Sequence, residues 1–146
     1  MSKSNTFETQ LLQHIFQNAD ITLIGDASGV LGSATAGSLY VGLHTSDPGE
    51  AGDQTTNEIA YTSYARVAVA RNGSNWAVSG NTADNVNAVT FPTCTGGSGT
   101  ATHFSIGTDS TGTGKLLYSG ALTASLAISN GITPEAAAGD LDITED

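Results

Sequence analysis

Positive charge is nearly missing from this chain: four Lys and Arg stand against fourteen Asp and Glu, a formal net charge of −10 over 146 residues. Nucleic-acid binding draws on clustered cations that displace counterions from phosphates. Lys3, Arg66, Arg71 and Lys115 are too scattered for such a stripe. Neither nucleic acid nor an anionic membrane surface is therefore an expected partner. Cysteine is almost as scarce. The single Cys94 excludes an intrachain disulfide and reads as a partly buried free thiol, with an intermolecular bridge as the lesser alternative. No apolar run approaches the ~20 residues that span a bilayer. Met1-Ser2-Lys3-Ser4 leads into no signal-type apolar segment. Synthesis in a reducing cytoplasm is the expectation.

What is there is glycine, 18 residues of it, amid much Thr, Ser, Ala and Asn. That mix belongs to turn-rich β-proteins. The length suits a single domain over 1–146. The pattern divides it into an N-terminal helix at 5–18, a Gly/Ser-rich connection at 22–37 and a β-region at 38–146. In the helix, Asn5 is the expected cap with Glu8 completing a box. Phe7, Leu11, Leu12, Ile15 and Phe16 line one face. The connection carries Gly25, Gly29, Gly32 and Gly37. No Lys-Ser or Lys-Thr follows it, so it reads as a flexible link rather than a phosphate loop.

Beyond it, short strands alternate with turn signals, the pattern of a β-sandwich. Residues 37–46 and 61–71 alternate large apolar with small or polar residues, as strands with one buried face do. Asn72-Gly73, Ser79-Gly80-Asn81 and Asn130-Gly131 mark reversals. Further strands are expected at 76–78, 101–106, 116–122, 124–128 and 141–144. The stretch Val86, Ala88, Val89 and Phe91 ends at Pro92. Residues 134–139 fit one helical turn, with Pro first and Gly past the end, or an extended edge with a glycine turn, the form favoured between strands. The fold class is mainly β: an antiparallel sandwich, jelly-roll-like or Ig-like, with one N-terminal α-helix.

Chemistry is sparsely signalled. There is no His-x-His, Cys-x-x-Cys or His-Glu-x-x-His spacing, and no Gly-x-Ser-x-Gly elbow. No catalytic, cofactor-binding or metal residue is assigned, and no enzymatic activity is expected. His44 and His103 lie on different strands and are read as structural or surface residues, and His14 beside the helix stripe as a solvent-facing or helix-end one. Asp47, Glu50 and Asp53 put hard oxygen ligands in the loop 47–53, a lesser calcium reading beside a plain exposed acidic loop. Tyr40, Tyr61, Tyr64, Trp76 and Tyr118 admit a carbohydrate site but suit packing better.

The order of blocks resembles a family of small bacteriophage virion proteins labelled tail-fibre-like. The blocks are Leu11-Leu12-Gln13-His14-Ile15-Phe16, then Leu39-Tyr40-Val41-Gly42-Leu43-His44-Thr45, then Asp47-Pro48-Gly49-Glu50-Ala51-Gly52 and Tyr64-Ala65-Arg66-Val67-Ala68-Val69. Ala88-Val89-Thr90-Phe91-Pro92, Thr102-His103-Phe104-Ser105-Ile106-Gly107 and Gly114-Lys115-Leu116-Leu117-Tyr118 follow. Ile128-Ser129-Asn130-Gly131 and Ala138-Gly139-Asp140-Leu141 close the series. The glycine-rich stretch 25–37 is longer than the family's usual connection. The resemblance implies a virion structural component with no known catalytic residue, located in the virion and made in the bacterial host cytoplasm. Its implied partners are tail, collar or major capsid proteins and further copies of itself, a trimer among the closed forms. Capsid decoration is the alternative role, and host-glycan binding a further one.

Overall fold

The computed structural model describes residues 2–145. Helix α1 (Asn5–Gln17) begins one residue earlier than the capping pattern suggested. Ser4 holds the extended cap conformation, and its hydroxyl accepts the Phe7 amide at 3.4 Å. Asn5 already lies inside the first turn, so it cannot cap. Glu8 is buried rather than reaching back. Asn18 ends the helix in the left-handed region at φ 59°, where asparagine is tolerated. Leu12 and Phe16 are fully buried, while Phe7, Leu11 and Ile15 flank them half-buried.

The remainder is mainly β and antiparallel, as the patterning predicted. The strands are β1 (Ser38–His44), β2 (Val67–Ala70), β3 (Trp76–Ser79), β4 (Thr82–Asn85), β5 (Val89–Thr90), β6 (Ser98–Gly107), β7 (Leu116–Ser129), β8 (Glu135–Ala136) and β9 (Ile143–Thr144). They form a four-stranded sheet β2-β1-β6-β7, a three-stranded sheet β3-β4-β9 and a pair β5-β8. One buried cluster joins them. Leu39, Val41 and Leu43 of β1, Phe104 and Ile106 of β6, Trp76, Ala83 and Ile143 of the small sheet and Leu12 and Phe16 of α1 all belong to it. The Phe16 and Trp76 rings pack at 4.8 Å, tilted.

Three features depart from the sequence reading. The expected strand 61–71 survives only as β2. Ser63 takes φ 76°, a conformation no strand accommodates, and Tyr61 to Arg66 instead form a turn and loop. β4 was not anticipated, because Thr82, Ala83, Asp84 and Asn85 carry little apolar signal. It is built by a two-residue turn at Gly80 and Asn81, with Gly80 at φ 61°. The segments at 116–122 and 124–128 are one strand, β7, of 14 residues. A bulge sets its residues 122–125 opposite Thr102, between the pairs Ala101↔Leu126 and His103↔Ala121.

The connection is pinned rather than loose. Ile21 and Val30 exchange both backbone hydrogen bonds at 2.9 Å. Asp20 accepts the Gly32 amide at 2.7 Å. Asn18 accepts from Ser33 N and donates to Ser33 O, each at 2.8 Å. At the tip, Asp26 Oδ1 accepts the Ser28 and Gly29 amides. Near the chain ends, Lys3 Nζ lies 3.1 Å from Glu145 Oε2. Asn81 donates to Glu145 O, and Tyr118 Oη donates to Glu145 Oε1.

Candidate functional site

β1 is buried on both faces at its C-terminal end, not on one. Its second face, Gly42 and His44, is covered by the segment 57–66. Thr45 N and Ile59 N donate to Asn57 O and Leu43 O and lash that segment along the strand. A polar clamp follows. Arg66, whose side chain is 2% exposed, grips Glu58 through two bonds, Nε to Oε1 at 2.7 Å and Nη2 to Oε2 at 2.8 Å. This is the paired geometry in which a guanidinium binds a carboxylate best. The same guanidinium donates to Asp109 O and Gly112 O, both at 2.9 Å. Tyr64 Oη accepts from Leu43 N and donates to Glu58 Oε1, each at 3.0 Å. Burial pushes the Tyr64 phenol well above its ordinary pKa, and the Glu58 charge adds to this.

The β6–β7 loop, 109–114, is therefore held by side chains from elsewhere. Gln54, fully buried, completes the hold. Its Oε1 accepts the Thr108 and Asp109 amides at 3.1 and 3.0 Å, and its Nε2 donates to Asp109 O. Glycine is required beside it: a Cβ on Gly107 would lie 2.1 Å from the Gln54 side chain, and one on Gly114 at 2.0 Å. Nothing in the local pattern marked Gln54 as buried. The paired glycines flanking the loop were the available trace.

His44 and Ser105 meet diagonally across the β1–β6 ladder, Ser105 lying opposite Gly42. Thr56 O accepts the His44 Nδ1 proton at 2.8 Å, so Nε2 accepts from the Ser105 hydroxyl, also at 2.8 Å. Both residues are fully buried, and the pair cross-links strands. Burial lowers the His44 pKa, against a smaller opposing effect from its bond to Thr56. His103 is the cross-strand partner of His44 and bonds Thr102 Oγ1 instead. His14 Nδ1 bonds Ala19 O at the helix end.

The acidic loop does not converge on a point. Asp47 Oδ1 accepts the Gly49 amide, and Asp53 Oδ1 accepts both the amide and the hydroxyl of Thr55. Those bonds hold the Asp53 pKa below its ordinary value. Among the described residues no group of three or more His, Cys, Asp or Glu is arranged to hold a metal ion. Of the aromatics, Trp76 and Tyr61 are buried, Tyr61 and Tyr64 pack edge to face at 5.3 Å, and Tyr118 is tied to Glu145. Cys94 is buried, its thiol directed at Gly96 O. What faces outward is loops, the tip of the 21–32 segment and β7. β7 forms one edge of the main sheet and carries no charged side chain over its 14 residues.

The architecture is that of a β-rich structural domain, its loops stiffened by buried polar ties. Comparison with protein families gives the particular kind. The family described as Gp80, podophage GP4 fiber I protein gp80, matches residues 2–144. This chain belongs to that family and is a phage fibre-like structural protein. No curated protein matches it.

Proposed function

We propose that this protein is a fibre subunit of a phage tail or collar, acting through protein–protein contacts with other virion components and with copies of itself. The observation that carries the reading is the family match over residues 2–144. The ties at Arg66 and Gln54 support it, because a contact loop that is already ordered loses little entropy on assembly. The unpaired edge of β7 supports self-association, since its free backbone groups can pair with those of a second copy. Closed point-group forms, a trimer among them, are the ones such self-association would take. Capsid decoration is the rival placement. A glycan-binding role would have to do without Trp76 as a stacking platform, because that ring is fully buried.

Gold-labelled antibody on intact particles separates these placements. Label on tail or collar fibres is the expected result. Label spread over head facets would establish decoration instead, and unlabelled particles would overturn the virion assignment. Native mass spectrometry of the purified chain checks self-association; a monomer at high concentration would count against it.

A further inference from the structure

Four of the six exposed large apolar side chains among the described residues stand on one short segment: Leu23 at 78% exposure, Leu31 at 62%, Ile24 at 45% and Val30 at 41%. Scattered surface leucines need no explanation, but a cluster on one projecting element does. The segment is not a loose excursion. It is closed at its base by the Ile21–Val30 pair and the Asn18 and Asp20 side chains, and turned at its tip by Asp26. Two glycines make the closure fit: a Cβ on Gly29 would lie 2.0 Å from Ile21 O, and one on Gly32 would lie 2.2 Å from Asn18 O. Leu23 itself holds φ 65°, which is costly for an L-residue with a branched side chain. Structure is thus spent on holding apolar groups out in water.

We propose that this hairpin, residues 21–32, is a docking knob that inserts Leu23, Ile24 and Leu31 into an apolar pocket with a Lys/Arg-lined rim on a different virion protein. The inference rests on the virion reading above. Charge selects the occupant. Asp20 and Asp26 are the only charged residues between Glu8 and Asp47, and both are exposed. A second copy, at net −10, would bring like charges together around the knob, whereas a basic rim pairs with them. Apolar anchors seated in a pocket and ringed by complementary charge are how small contact surfaces gain affinity.

The test compares wild type with the double variant Leu23→Ser/Leu31→Ser, supplied to a phage lacking its own copy of the gene. Both side chains are exposed, so the variant should keep the wild-type circular dichroism and unfolding temperature. Its incorporation per particle is expected to fall about tenfold or more, the scale for removing two interface anchors. A photo-crosslinker at position 31 in assembled particles should join another virion protein at an apolar site flanked by Lys or Arg. Wild-type-like incorporation of the folded variant would overturn the proposal, as would a crosslink to a second copy. Co-sedimentation with phosphatidylcholine vesicles that is lost in the variant would also overturn it, in favour of a lipid surface. Failure of wild type itself to enter particles would instead count against the virion reading.

Discussion

Replacing Arg66 with alanine would strand Glu58 beside His44, release Gly112 O and leave Asp109 O to Gln54 alone. Breaking a buried ion pair from one side costs about 3–5 kcal/mol, and the partial exposure of Glu58 puts this pair at the lower end. Denaturant unfolding should show a loss of that order, and Arg66→Lys should recover little of it, since an ammonium cannot span both carboxylate oxygens. His44 makes a second prediction. Burial holds its pKa below the ordinary 6.5, so below that value the unfolded chain takes up a proton that the folded one does not. Its contribution is full above the unfolded-state pKa and is lost as pH falls through it toward the folded one. The unfolding temperature should therefore decline from about pH 7 to about pH 5, and His44→Gln should flatten that slope. Neither role is visible in local sequence. Glu58 and Arg66 are eight positions apart with no helix to align them, and Ser105 is 61 positions from His44.

At the scale of elements, the legible parts are those with local causes. The helix was readable because Leu12 and Phe16 repeat at helical spacing, and β1 because Leu39, Val41 and Leu43 alternate. β4 was not, because its place comes from a turn and from pairing with β3 and β9 rather than from apolar residues. Tyr61 to Arg66 misled because its large side chains serve the clamp and the Tyr61–Tyr64 packing rather than one face of a strand. Element junctions lean on single side chains in the same way. Arg71 donates to the carbonyls of His14 and Ile15 in the last turn of α1 and to Ala36 O. A cation there satisfies otherwise unpaired carbonyls and complements the helix dipole. Arg71→Ala should loosen α1 selectively, by about 1–2 kcal/mol. Faster amide exchange over 5–17 with little change in β6 would show it.

For the whole molecule, charge is the dominant trait. Arg66 and Arg71 are committed to internal bonds and Lys3 pairs with Glu145, so the few cations do little to offset the excess of acidic side chains. Self-repulsion of this kind weakens the folded state and is screened by salt. Thermal unfolding should move up by several degrees between low salt and about 0.5 M sodium chloride, in contrast to a fold held by surface ion pairs. The composition announced this much directly, whereas the sheet order, which brings β1 between β2 and β6, depends on contacts far apart in the chain.

The meeting of Lys3 and Glu145 beside Tyr118 gives the subunit a usable compass. A marker placed beside Lys3 or beside Glu145 sits at the same corner, near the start of β7. The Asn130-Gly131 turn lies at the far end of that strand, about 27 Å away at ordinary strand rise along the eight residue steps of β6 from Ile106, opposite Tyr118, to Ser98, opposite Ser129. Two small markers, one on each point, would therefore give the direction in which every subunit faces along an assembled fibre.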